Sequence, residues 1–392
     1  MNTYDMYEKT FKKTLDAQDI FTPYRLCPLG AHVDHQHGIV TGFAIDKGVD
    51  MVFTPTEDGN VEIVSCNFSG KYIFNVNDEH IHPESNWCDY AKGACESLKN
   101  SYKLTRGIKA VISGSLPIGG LSSSASVIIT YIRALAIVNE IQLTQKELIK
   151  LAMWVENSFL GISVGKLDQS CEVYSKTNSL LFLDTKDDYH ELIPQNADMK
   201  PYEFLIIFSG LERSLINSGY NTRVDECRAA AYALKGYANQ TYGRIKDTTL
   251  REVSRETFED YKMMLPESWR KRATHFYNEC ERVHNGILAW KKGNIEEFGK
   301  IVFESGRSSI YNYETGSEEL KALSEIMENT DGIYGGRFSG AGFKGCSMAI
   351  IDPAKKDYII ENIEREYTNK YPTLKDKCSL HICHTANGVI LP

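Results

Sequence analysis

No stretch of this 392-residue chain reaches the ~18 consecutive apolar residues that a membrane span requires. The longest apolar runs, such as Phe204 to Phe208, have the length of buried strands. The N-terminal residues MNTYDMYEKTFKKTLDAQD lack the apolar stretch of a secretion signal. Excess positive charge is also missing: 44 Lys and Arg stand against 52 Asp and Glu, a net of −8. That balance argues against nucleic acid as a partner, while a few local cations still suffice for a small anionic substrate. None of the ten cysteines forms a CxxC pair. Spread over a chain this long, they read as reduced, mostly buried thiols, and the expected compartment is cytoplasmic. Repeats, low-complexity tracts and an obvious linker are absent. What remains is a composition of 42% hydrophobic and 24% charged residues, ordinary for a globular protein. At roughly 150 residues per domain, the length suits two or three domains in one folded unit.

Residues 21–75 carry short apolar stretches broken by glycines and turn residues, and predict strands over 24–30, 38–45, 48–55, 61–68 and 71–76. A helix is expected over 87–100, then a strand over 108–116. Ser126 to Val138 is apolar almost all round without Gly or Pro, which predicts a buried helix. A helix over 144–160 starts at Thr144 as N-cap, with Glu147 at the capping-box position. Strands follow at 179–184 and 202–209, and 221–330 is mostly helical. Beyond Gly332 come a Gly-rich loop, a strand from Cys346, a helix over 355–367 and a last strand from Ser379. The polar stretch 184–201 is the expected boundary, giving domains 1–198 and 199–392.

Four segments carry chemistry. LPIGGLSSSAS, residues 116–126, sets two glycines and four serines before an apolar helix. Glycines allow close backbone approach, and the helix start offers unpaired N–H groups. Together they suit a nucleotide's phosphates, although a Gly/Ser turn also simply caps core helices. GRFSGAGFKGC, residues 336–346, has the G-x-G-x-x-G spacing at Gly340, Gly342 and Gly345. A strand follows it where a dinucleotide fingerprint needs a helix, so an oxidoreductase reading fails and a loop over phosphates stays open. GISVGKL at 161–167 has the wrong spacing for a P-loop. YRLCPLGAHVDHQHG, residues 24–38, crowds Arg25, His32, Asp34, His35 and His37 into one loop. Such polar density suits hydrogen bonding to a polyol, with a metal site as the alternative. WVENSFLGISVGKLDQS, residues 154–170, holds Glu156 and Asp168, two carboxylates that could divide metal binding and base work between them. His381, Cys383 and His384 lack the second ligand pair that zinc would need.

RLCPLGAHVDHQHG, GLSSSAS and GRFSGAGFKGC occur in the order of the three signature motifs of the GHMP small-molecule kinases, and within them resemble the galactokinase branch. WCDYAKG (87–93), Leu167-Asp168-Gln169 and SGYNTR (218–223) add to the likeness. The resemblance implies an α+β two-domain fold, with an N-terminal ribosomal-S5-like α/β domain, a ferredoxin-like C-terminal domain and the site between them. It implies an ATP-dependent sugar 1-kinase using Mg²⁺. Asp168 matches the carboxylate beside the anomeric hydroxyl, and Arg25 lies by the same oxygen. Ser124 and Glu156 match magnesium ligands. Gly119, Gly120, Leu121, Ser122, Ser123, Ser124, Ala125 and Ser126 would wrap the ATP phosphates. His32, Asp34, Gly165, Tyr220 and Gly342 fall in the sugar site. The partners implied are a sugar or uronic acid and ATP, with the chain a monomer or homodimer.

The chain also departs from the galactokinase pattern. Ala31 stands where galactokinases carry a Glu for the sugar's C6 hydroxyl, and Cys27 replaces a usual Asn. The run Leu116-Pro117-Ile118-Gly119 is one residue short of the family's Pro-x-Gly-x-Gly-Leu loop, or carries its Pro at a shifted place. Lys166 and Lys344 replace Ile and Gly. PLGAH and RFSGAGF look like the loops of plant galacturonokinases. The chemistry agrees: a carboxylate at 31 would face a C6 carboxylate, and like charges ~4 Å apart cost about 4 kcal/mol at an effective dielectric of 20. Ala31 removes that repulsion, and Lys166 or Lys344 is the candidate counter-charge, if not simply a solvated amine. The function expected is phosphorylation of galacturonate, with galactokinase proper and a non-catalytic sugar sensor as alternatives.

Overall fold

A computed structural model describes residues 2–391 apart from 13–14, 118, 212–218, 242, 341 and 343–344. Helix α1 (Thr3–Phe11), capped by Asn2, precedes strand β1 (Gln18–Leu26). The chain returns as β2 (Ile39–Thr56), one 18-residue strand that joins the two expected at 38–45 and 48–55. Gly48 does not break it. A β-carbon there would strike the Thr22 carbonyl oxygen at 2.2 Å, so the glycine serves the close pairing of β1 on β2. β3 (Asn60–Ser65), β4 (Lys71–Asn75), α2 (Asp89–Lys99) and β5 (Gly107–Gly114) follow. Helix α3 (Ser123–Val138) buries most of its surface, as its all-round apolar sequence requires. Helix α4 (Gln145–Trp154) starts at the expected capping box, with both Thr144–Glu147 bonds formed, and ends in a π-helical turn, Val155–Phe159. Then come α5 (Leu167–Tyr174), β6 (Ser179–Asp184) and β7 (Tyr189–Pro194).

The second half opens with β8 (Glu203–Phe208), followed by α6 (Tyr220–Tyr237), α7 (Arg255–Tyr261), α8 (Glu267–Lys291), α9 (Ile295–Tyr311) and α10 (Glu318–Glu328). It closes with β9 (Ile333–Phe338), β10 (Cys346–Ile351), α11 (Lys356–Lys370), β11 (Ser379–Cys383) and the short β12 (Thr385–Ala386).

The first sheet runs β4-β3-β5-β2-β6-β7, with β1 and β12 also paired to β2. The second runs β11-β8-β10-β9, antiparallel throughout. Taken in chain order this is four-one-three-two, the ferredoxin-like arrangement. The polar stretch 184–201, the expected boundary, contains β7, paired with β6 from Asp184↔Tyr189 to Ser179↔Pro194. After β11 the chain crosses back to the first sheet, where Thr385 pairs with Ile45.

Aromatic packing ties the two halves together. Phe43 of β2 lies 5.1 Å from Phe204 of β8 and 5.4 Å from Trp290 of α8, centroid to centroid. All three are buried in one continuous apolar core. That seam fixes the halves against each other and holds the loops after β1, before α3 and after β9 at one place. All ten cysteines are free thiols. Among the described residues, no helix is long and apolar enough to cross a membrane.

Candidate active site

Strand β1 ends by delivering Arg25, buried at 5% exposure, to the junction of three loops. Its Nε donates to Asp168 Oδ1 at 2.6 Å and its terminal nitrogen donates to the Gly120 carbonyl at 3.0 Å. Burial opposes the guanidinium's charge, but the Asp168 carboxylate outweighs it and holds the cation above its ordinary range. Asp168 sits in the first turn of α5. Its second oxygen accepts from the Ser122 hydroxyl. Ser122, expected on the phosphates, thus turns its side chain to the carboxylate, from a left-handed backbone at φ 63°.

The two glycine loops meet backbone to backbone. A β-carbon on Gly340 would come within 2.9 Å of Gly120 Cα, and one on Gly345 within 3.0 Å of the Gly119 carbonyl carbon. Ser339 Oγ donates to the Gly120 carbonyl at 2.6 Å. Side chains at these glycines would pry the loops apart. Just beyond, α3 starts at Ser123, where the first N–H groups of a helix have no partner of their own. Leu121 and Ala125 are buried. Ser126 turns inward: its N–H goes to the Ser122 carbonyl and its hydroxyl donates to Glu172 Oε1 at 2.7 Å. The phosphate-facing candidates are therefore the backbone of 119–125 and the half-buried Ser123 and Ser124 side chains.

Ser124 Oγ donates to Glu156 Oε1 at 2.8 Å, and Gln169 Nε2 donates to its other oxygen at 2.5 Å. Glu156 stands on the π-helical turn, where the extra residue re-aims a side chain. Burial, then the Asp168 charge, pushes its carboxyl up to about 7. Ser124 and Glu156 offer Mg²⁺ two hard oxygens. Among the described residues no three His, Cys, Asp or Glu side chains form a cage, so the donor set fits an ion shared with phosphates. Glu172, one turn beyond Asp168, is fully buried. Its Oε2 has no partner, and burial drives its carboxyl far up.

On the sugar side, Asp34 Oδ2 accepts from the Leu167 N–H at 3.4 Å. Burial, then Asp168, pushes its carboxyl up to about 6. Gly165 lies directly against that carboxylate. His32, at φ 62°, stacks on Tyr313 at 4.5 Å with planes 6° apart, and its Nε2 is buried without a partner. His35 Nε2 pairs with the Tyr313 hydroxyl at 2.9 Å and Tyr220 meets the His35 ring edge-on at 6.0 Å. His37 is exposed, so the three loop histidines do not converge as metal ligands. The Ala31 carbonyl accepts from His275 Nε2 at 2.9 Å, leaving a buried methyl where the galactokinase pattern has a carboxylate. The Lys166 amine is engaged by Asp188. Gly342 packs against the Phe338 ring, which lies 6.2 Å from that of His32. Lys344 lies outside the described residues.

Sequence reasoning missed the wall behind the sugar loop. His275 (α8), Tyr313 (after α9) and Arg337 (β9) support it with Glu279. The Gly30 N–H donates to Glu279 Oε1 at 2.8 Å. Glu279 stays ionised, held down at about 2: burial opposes this, but Arg282, His275 and Arg337 outweigh it. No local pattern marks His275, Glu279 or Tyr313, and His275 and Glu279 lie more than 240 positions from the loop they brace; Arg337 lies within the 336–346 loop, where the glycines rather than the arginine carry the signal.

The sequence profile of the GHMP kinases N terminal domain matches residues 89–176, and that of the GHMP kinases C terminal matches 287–369. A galacturonokinase of Arabidopsis thaliana is 40% identical over 378 residues, 91% of this chain and 88% of that protein. A galactokinase of Clostridium perfringens is 31% identical over 94% of this chain and 93% of its own. The crystal structure of Lactococcus lactis galactokinase with galactose superimposes with a TM-score of 0.90 at 26% identity, covering 99% of this chain and 98% of that one.

Proposed function

The chain belongs to the GHMP kinases, an ATP-dependent sugar 1-kinase of the galacturonokinase and galactokinase type, and we propose that its substrate is galacturonate. The observation that carries the reading is Ala31. It is buried at 9% exposure, with its carbonyl fixed by His275, and it presents a methyl group where a carboxylate would repel a uronate. The Arabidopsis relative named galacturonokinase shares more of this sequence than the Clostridium galactokinase does.

The reaction joins the anomeric oxygen to the γ-phosphorus of ATP and breaks the bond to the bridging oxygen, releasing ADP. Asp34, His32 and Tyr220 hold the sugar's hydroxyls. Asp168 accepts or orients the anomeric proton, and Arg25, locked against it, faces the charge that moves onto the transferring oxygens. The backbone of 119–125 lies along the phosphates at the positive end of α3. Ser124 and Glu156 would hold Mg²⁺, which when bound neutralises phosphate charge. Most of the rate gain comes from positioning, which the buried Arg25–Asp168 pair and the packed glycine loops supply.

ADP release measured with ATP, Mg²⁺ and a panel of sugars and uronic acids tests this. Galacturonate is the expected best substrate. Equal or better turnover of galactose would make the chain a galactokinase, and the absence of ADP release with every sugar tried would make it a non-catalytic sensor.

A further inference from the structure

Removing a carboxylate at position 31 explains tolerance of a uronate but not attraction to it. A cavity of about 210 Å³ opens beside the sugar loop, lined among others by Asp34, His35, Asn157, Gly165, Lys166 and Arg228. Two cations border it. The Lys166 amine is held by Asp188, on the rim, with Lys146 also 3.6 Å from that carboxylate. Arg228, on α6 eight residues beyond Tyr220, differs. Its Nε is buried with no hydrogen-bond partner. Among the described residues its one ion pair is to Asp225 at 3.5 Å, a largely exposed carboxylate one turn back on the same helix. A buried guanidinium N–H without an acceptor is costly, and an acceptor arriving with a ligand relieves that cost. Arg228 also faces the loop electrostatically: after burial, its charge is the largest influence holding the His35 imidazole down at about 3.

Resting on the galacturonate reading, we propose that Arg228 receives the C6 carboxylate of the substrate. With the anomeric hydroxyl at Asp168 and ring hydroxyls at Asp34, the carboxylate on C5, next to C4, projects from the ring on the side of the cavity that Asp34 and Arg228 share. There a planar guanidinium fork matches two carboxylate oxygens better than an amine does. Arg228 is thus a specificity residue that the motif loops do not contain.

The test is calorimetric binding of galacturonate, galacturonamide and galactose to the full-length protein, for wild type, Arg228→Gln and Arg228→Lys, with melting temperatures as a check on folding. Wild type should prefer galacturonate. Arg228→Gln should lower the galacturonate-to-galactose affinity ratio about 10- to 100-fold, the range of a charge-assisted hydrogen bond. Arg228→Lys should fall between, and the galacturonamide-to-galactose ratio should move far less. If Arg228→Gln does not fold, Arg228→Lys decides alone: an unchanged galacturonate-to-galactose ratio overturns the assignment. Wild-type preference for galacturonate with unchanged ratios in both variants overturns the role of Arg228 and leaves the substrate reading standing. A wild type without that preference overturns both.

Discussion

A β-carbon on residue 165 would stand 2.1 Å from Asp34 Oδ2, far inside any non-bonded contact. Gly165 and Asp34 are therefore built as a pair, and the carboxylate keeps its place only because residue 165 has no side chain. Gly165→Ala should displace Asp34 and raise the KM for sugar by about tenfold or more, with the KM for ATP moving much less. Steady-state kinetics with each substrate varied in turn checks this. A sugar KM within twofold of wild type would remove Asp34 from the sugar site.

Asp168→Asn keeps the shape of the side chain and removes its charge. Turnover should fall ~10²-fold or more, while nucleotide binding persists. A variant retaining over half of wild-type turnover would contradict the role given to Asp168.

Glu156 has a carboxyl raised to about 7, mainly by burial, against about 4.3 in an unfolded chain. Between those values the folded protein holds more protons than the unfolded one, so stability falls as pH rises. Without ligands, melting temperature should therefore carry a downward slope from about pH 5 to 7, on the order of 2 kcal/mol in total, which Glu156→Gln flattens. The same variant should raise the Mg²⁺ concentration needed for activity. Melting curves across pH and an Mg²⁺ titration check both; an unchanged Mg²⁺ requirement would place the metal elsewhere.

Glu172 is also buried, and burial drives its carboxyl well above the ordinary range, which favours the neutral acid. Glu172→Gln, which has the shape of that neutral acid, should keep the bond from Ser126 and melt within a few degrees of wild type at pH 7. A large loss of stability at pH 7 would show that the residue is ionised.

Local signals in the sequence carried much of this structure. The Thr144–Glu147 capping box, the strand at 179–184 and the three loops all depend on residues near one another in the chain. What was hidden depends on distant partners. Gly48 reads as a strand break until β1 is seen against it. Strand β7 hides in a charged stretch because it lies at the sheet's edge, where few side chains need be apolar. Ser122 reads as a phosphate ligand, yet its hydroxyl goes to a carboxylate 46 residues on. His35 leans on Tyr313, 278 positions away, and Arg228 lies outside every motif.

The most direct test of the account is kcat/KM for galacturonate and galactose in wild type and in Ala31→Glu. The new carboxylate would repel the C6 carboxylate of galacturonate and offer the C6 hydroxyl of galactose an acceptor. Wild type should favour galacturonate, and Ala31→Glu should erase or reverse that preference, a change of ~10²-fold in the ratio. A wild-type enzyme that phosphorylates galactose well and ignores galacturonate would contradict it.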